Sequence, residues 1–381
     1  MSRSRELLHS LVGFDTTSRE SNLHLIEFVR DYLAGFGVSC ELVHNEERSK
    51  ANLFASIGPS EVPGIVLSGH TDVVPVDGQP WTTPPFELTE HDGKLFGRGT
   101  ADMKGYIACV LALVPTLVQT PLRIPVHIAL SYDEEIGCLG VRSLLSVLEQ
   151  RPVKPMLCII GEPTELKPVL GHKGKLAMRC DVHGEACHSA YAPYGVNAIE
   201  HAAELIGELG RLGRQLREHQ DPRFDPPYST VQTGVIAGGK ALNIVPADCR
   251  FDFEIRALPS QDPGEVAEAL QTYAMHQVLP RMKAVSAQSA IRFTELSAYP
   301  GLVTDERSQA AELIAAFSGS REFGTVAFGT EGGLFDAVGI PTVVCGPGSM
   351  DQGHKPDEFV SVTQLAGCDA MLLRMLDSIR V

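Results

Sequence analysis

Apolar positions along this chain fall into two rhythms. Through about residue 172, short continuous apolar runs at 52–57, 64–67, 126–131 and 156–160 alternate with stretches at 23–36, 106–118 and 141–148 whose apolar residues recur every three or four positions. The runs predict buried strands and the periodic stretches predict helices, an alternation that gives a mostly parallel sheet flanked by helices. Ahead of them, Leu7, Leu8, Leu11 and Val12 sit at helical spacing but are interrupted by Glu6 and His9, which predicts a docked amphipathic helix and not a secretion signal.

From about Lys175 the rhythm changes. Strand patterns at 175–184, 229–239, 249–258 and 290–299, with helical patterns at 198–212 and 263–279, occur in the order βαββαβ, which predicts a ferredoxin-like unit of small-domain size. After Pro300 the first rhythm resumes, with a helix at 308–317, a strand at 340–346 and a closing helix at 362–379. The expected fold is therefore α/β. A catalytic domain at 1–174 and 298–381 is interrupted by an inserted domain at 175–297, and the cleft between domains is the expected site.

Composition narrows the function. At 381 residues and 44% hydrophobic, the chain can bury a large core, and a formal charge of -15 disfavours nucleic acid or an anionic membrane as partner. No apolar run approaches the eighteen or so residues of a spanning helix. The nine cysteines are scattered and never form CxxC, which points away from disulfides and thiolate zinc and towards a reducing cytoplasm.

Five stretches carry acids or imidazoles where an apolar run meets a Gly or Pro turn: "GHTD" (69–72), "GRGTADMKG" (97–105), "SYDEEIG" (131–137), "GEPTE" (161–165) and "GPGSMDQGHKPDE" (346–358). Each has an ordinary explanation when taken singly, since Asp102 and the acids at 133–135 fit helix caps and Glu162 fits a solvated loop. Together they differ, because a parallel sheet gathers its strand ends along one edge, where converging carboxylates repel unless a cation lies between them. Two histidines and three carboxylates form a nitrogen and oxygen donor set suited to zinc, cobalt or manganese. Glu134 and Glu135, being adjacent, point in different directions, so that one can hold metal while the other faces substrate as a base.

In this order the five stretches resemble the family of co-catalytic dizinc amidohydrolases that contains acetylornithine deacetylases, succinyl-diaminopimelate desuccinylases and carboxypeptidase G, and the likeness spans essentially the whole chain. The resemblance implies two divalent ions, zinc or else cobalt, with His70 and Glu162 on one, Glu135 and His354 on the other, and Asp102 bridging. It further implies Asp72 as a partner orienting His70, Glu134 as general base, His188 as an oxyanion donor, a cis peptide after Asp102, and a homodimer in which the inserted domain acts as lid and dimerisation unit. Asn243 and Arg256 match positions that bind the substrate carboxylate. In the loop 327–341, desuccinylases resemble "GTSDGRF" where this chain has Thr330, Glu331, Gly332, Gly333, Leu334 and Phe335. Glu331 suits an ammonium, the alternative being a helix cap. With the closing "CGPGSMDQGHKPDEF", this implies N2-acetyl-L-ornithine as the small-molecule substrate. A related N-acyl amino acid, a peptide substrate, or a catalytically silent binding homologue remain the alternatives.

Overall fold

The structure, a computed structural model, describes residues 2–381. It divides into two compact units. The first comprises the described residues up to His172 with Leu302–Thr325 and Thr330–Val381, and the second comprises Lys173–Gly301 with Val326–Gly329.

The first unit is built on a mixed sheet in the order Cys40–His44, Ala51–Ile57, Val126–Ser131, Ile65–His70, Leu157–Pro163, Thr342–Gly346, Val169–His172, Leu302–Val303. The four strands from Val126–Ser131 to Thr342–Gly346 run parallel and their outer neighbours antiparallel. Side-chain alternation then decides what each face carries. Ile65, Leu67, Ile128, Leu130, Leu157 and Ile159 join one core with helices Arg3–Val12, Leu23–Ala34, Lys104–Gln119, Gln309–Ser318 and Val362–Ile379. Alternation therefore turns His70, Ser131 and Glu162 to the other face, at the carboxyl ends of three adjacent strands.

The N-terminal helix docks as its spacing predicts, with Leu8, Leu11 and Val12 fully buried, each worth about 1.5–3 kcal/mol. Helix Lys104–Gln119 contains Pro115, which cannot donate to the carbonyl one turn back. The Tyr32 hydroxyl donates to that carbonyl, Leu111 O, at 3.0 Å.

The second unit is a four-stranded antiparallel sheet in the order Thr230–Gly238, Asp248–Ala257, Gly174–His183, Ala290–Tyr299. Helices Ala198–Leu216 and Pro263–Tyr273 intervene in the chain and complete the βαββαβ topology. The second helix does not stop at 279: it passes through a wider turn at Ala274–Val278 into Leu279–Val285, where Pro280 sits in the first turn and needs no backbone donor.

Candidate metal centre

Strand Ile65–His70 delivers His70 into the protein interior, where the ring is 1% exposed. Its Nδ1 donates to the backbone carbonyl of Asp72 at 2.9 Å, which leaves the Nε2 lone pair as the ligand-type atom. That nitrogen lies 2.9 Å from Asp102 Oδ1 and 3.6 Å from Glu162 Oε1, the latter on strand Leu157–Pro163. The other Asp102 oxygen, Oδ2, lies 3.2 Å from His354 Nε2, which is itself 3.0 Å from Glu135 Oε2. Two triads, His70, Asp102, Glu162 and Asp102, Glu135, His354, thus share one carboxylate, with the candidate donor atoms of each within 4.8 Å of one another. Asp102 is not a helix cap: Met103 flanks helix Lys104–Gln119 and no side chain caps it. The peptide between Asp102 and Met103 is cis.

Glycine makes the Glu162 position possible. A Cβ at Gly161 would lie 2.0 Å from the Tyr106 ring, so no larger residue lets strand and helix approach this closely beside Glu162.

The electrostatics fit a cation-binding set. Burial raises Glu162 well above the carboxylate range, with Asp102 adding to it, and burial raises Glu135 to about 7 against the pull of His354. Burial opposes a charged His70, but Glu162, Asp102 and Asp72 outweigh it and push the imidazole well up. Asp102 and Glu135 hold His354 at about 10. Carboxylates outnumber the imidazoles that balance them, and Glu135 Oε1, though buried, has no hydrogen-bond partner. A nitrogen and oxygen set of this composition, with a spare buried oxygen, fits divalent cations at both triads.

Glu134 stands beside the triads, raised well above the carboxylate range by burial, with Glu135, Asp102 and Glu331 adding to it. Asp72 holds this turn. Its Oδ1 accepts from Glu134 N at 3.1 Å, and its Oδ2 accepts from Glu135 N at 3.3 Å and from Ser18 Oγ at 2.7 Å. The Asp72 carboxylate is 3.6 Å from His70 Nδ1, so its backbone carbonyl, at 2.9 Å, is the nearer anchor of that ring. Asp133 precedes the pair in a left-handed conformation, φ +56°, and is bound by the Lys50 ammonium.

Glu331 is 1% exposed, and its Oε1 and the Ser131 Oγ are buried without a hydrogen-bond partner of normal geometry. Burial lifts its pKa to about 7, with Ser131 and His70 pulling it back. It flanks helix Gly332–Ala337 without capping it: Thr330 Oγ1 accepts from Gly332 N at 2.9 Å and His172 Nε2 accepts from Gly333 N at 3.2 Å. Gly332 is buried there.

His188, Asn243 and Arg256 belong to the second unit. His188 and Asn243 are neighbours on exposed loops, with Ser189 N donating to Asn243 O at 3.0 Å. His188 Nδ1 accepts from Ala190 N at 3.1 Å, which places the neutral ring's proton on Nε2. Arg256 donates to both Glu254 oxygens at 3.3 Å and to the Tyr299 hydroxyl at 2.9 Å. Its fork therefore already has a carboxylate partner.

Comparison with known proteins places these features in context. The family model described as peptidase family M20/M25/M40 matches residues 66–378. An acetylornithine deacetylase of Myxococcus xanthus is 37% identical over 97% of this chain and 96% of its own length. Another, of Pasteurella multocida, is 36% identical over 92% and 90% respectively. Among solved structures, an M20 family metallo-carboxypeptidase of Sulfolobus solfataricus superposes with a TM-score of 0.79 at 19% identity, covering 99% of each chain. A dinuclear metal-binding peptidase of the same family from Bacillus subtilis gives 0.63 at 15%, covering 99% of this chain and 98% of its own.

Proposed function

Since the chain belongs to peptidase family M20/M25/M40, we propose that it is a metal-dependent amide hydrolase that removes the acetyl group of N2-acetyl-L-ornithine to give L-ornithine and acetate. The observation that carries the reading is the pair of triads sharing Asp102 beside the partly buried Glu134. Relatives named acetylornithine deacetylase, matched over nearly their whole length, support the substrate. His70, Asp102 and Glu162 would hold one ion and Asp102, Glu135 and His354 the other, zinc or cobalt by donor type. Two such ions, when bound, supply Lewis acidity to the scissile carbonyl and to a water.

The chain's own residues do the rest. Glu134, its pKa raised by burial, takes a proton from the water as its oxygen bonds to the acetyl carbon, then gives that proton to the amine nitrogen as the C–N bond breaks. Asp72 fixes the backbone of Glu134 and Glu135, so base and ligand hold a constant separation. We assign the substrate's δ-ammonium to Glu331, at the helix start with Gly332. His188, through Nε2–H, is assigned to the carbonyl oxygen, and Asn243 with Arg256, whose guanidinium would exchange its Glu254 contacts for the substrate, to the α-carboxylate. The edge strand Thr230–Gly238, which exposes Val235 and Ile236, supports a homodimer through the second unit. Nine free thiols support a cytoplasmic setting, where the released ornithine would feed arginine synthesis. Among the described residues no helix is long and apolar enough to cross a membrane.

The test is a turnover panel of acetylornithine, acetylcitrulline, acetylmethionine and succinyl-diaminopimelate. Chelation should abolish activity, zinc or cobalt should restore it, and acetylornithine should have the highest kcat/KM. Metal-loaded protein that turns over none of the four, or that prefers acetylmethionine, overturns the proposal.

A further inference from the structure

Asp102 and His354 reach one another from loops far apart in the chain, and neither loop has regular structure to hold it. His354 stands in a left-handed conformation, φ +63°, and Asp357 in another, φ +54°, which L-residues adopt at a cost unless neighbours hold them. Three side chains tie the two loops together. Glu358, 1% exposed, accepts from Ala101 N at 2.9 Å and Asp102 N at 3.0 Å through Oε1, and from Gly99 N at 3.0 Å through Oε2. Arg98, also 1% exposed, donates to the same Oε2 at 2.7 Å. Its NH2 donates to Gln79 Oε1 at 2.6 Å, and Gln79 Nε2 in turn donates to the His354 carbonyl at 3.0 Å.

From this chain of contacts we infer that Gln79, Arg98 and Glu358 form a positioning network that fixes Asp102 relative to His354 and so sets the affinity of the Asp102, Glu135, His354 triad for its ion. The inference rests on the metal reading above. The physical case is one of direction and charge. A carboxylate that collects three backbone N–H groups of the 99–102 segment leaves the Asp102 backbone one position, and hydrogen bonds to a charged acceptor are about twice as strong as neutral ones. Around Glu358 and Arg98 burial forbids water from substituting when a partner is lost, whereas the Gln79–His354 contact lies at the surface. Gln79 carries the same constraint to the half-exposed His354, whose ring would otherwise depend on its own loop. His70 needs no such brace, because a strand and the Asp72 carbonyl hold it.

The experiment is cobalt titration of metal-free protein, followed by calorimetry and by the visible d–d bands, for wild type, Gln79→Ala and Glu358→Gln. Gln79 lies near the surface, so Gln79→Ala should melt as wild type does. Glu358→Gln leaves Arg98 without a charged partner, and it is read only in the folded fraction checked by circular dichroism. Gln79→Ala, which acts on the His354 loop, should bind one equivalent of cobalt as wild type does and the other roughly tenfold or more weakly, the usual scale for loss of a group that orients a ligand. Folded Glu358→Gln, which acts on the Asp102 shared by both triads, should weaken at least that one equivalent on the same scale. Turnover of Gln79→Ala should recover at high cobalt, which a folding defect would not do. Unchanged affinity for both equivalents in Gln79→Ala and in folded Glu358→Gln overturns the network. Wild type that binds no cobalt overturns the metal reading instead.

Discussion

Replacing Glu331 by Gln keeps size and hydrogen-bonding capacity but removes the charge, and the expected loss can be worked from the site. The carboxylate is 1% exposed with the Ser131 hydroxyl beside it, so burial has already removed most of its hydration before any ligand arrives. An ammonium meeting it gains a charge-assisted contact of about 1.5–3 kcal/mol without further desolvation of the protein group. At 1.36 kcal/mol per decade that is roughly tenfold to a hundredfold in kcat/KM for acetylornithine. Acetylmethionine, which has no ammonium, should lose far less. The pH dependence supplies a second readout. With its pKa raised to about 7, Glu331 carries a proton below that pH, which the ammonium must displace. The ratio of kcat/KM for acetylornithine to that for acetylmethionine should therefore climb by up to about tenfold per pH unit below 7 and level off above it. Taking the ratio cancels titrations common to both substrates, and Glu331→Gln should make it flat. Steady-state kinetics on both substrates from about pH 5.5 to about pH 8.5 decide the matter. Equal losses on the two substrates, with a ratio flat in the wild type, refute the recognition role and weaken acetylornithine as the substrate.

Glu134→Gln should retain both metal equivalents while kcat falls on the order of 10² to 10⁴, and near-normal turnover with metal bound would remove Glu134 as the base. Glu135→Gln should instead lower metal affinity, as read by equilibrium dialysis. Gly161→Ala forces a methyl to within 2.0 Å of the buried Tyr106 ring and should cost about 1–3 kcal/mol in urea unfolding, a reading that an unchanged midpoint contradicts. His127 is held at about 4 by burial, with Arg151 adding to it, so the unfolded chain takes up the proton first as pH falls. Its neutral form stabilises fully above about pH 6.5, and on the order of 3 kcal/mol is lost as pH drops through about 4. His127→Asn should flatten that part of the stability curve, and a slope equal to wild type shows that other groups cause it.

Much of the fold was legible because buried strands need no polar face. The runs at 126–131 and 156–160 could hardly be anything but central strands once flanked by amphipathic helices, and the structure has Val126–Ser131 and Leu157–Pro163 there. The elements that went unread are short. The strand Cys40–His44, the hairpin Thr89–His91 and Lys94–Phe96, paired with Phe359–Ser361, and the strands Val169–His172 and Leu302–Val303 span five residues or fewer. Two or three alternations are too few to stand out from a loop, and their pairing is decided by partners remote in sequence.

The same physics divides the site. His70, Asp102, Glu134, Glu135, Glu162 and His354 each had an ordinary structural reading when taken singly, and only five such stretches together, expected to converge at one sheet edge, pointed to a cation between them. Asp72, Glu358 and Arg98 act differently: the two carboxylates accept from the backbone N–H groups of residues 99, 101, 102, 134 and 135, and Arg98 donates to Glu358. A backbone N–H is nearly identical in every residue, so nothing at positions 99 to 102 records that a carboxylate more than 250 residues later will bind there. Hence the "GHKPDE" stretch offered His354 by its chemistry, while nothing singled out Glu358, four residues on. The burial of Arg98 in "GRGT" is seen only in the structure, and a guanidinium removed from water then requires a carboxylate, which Glu358 at the end of the stretch 346–358 supplies.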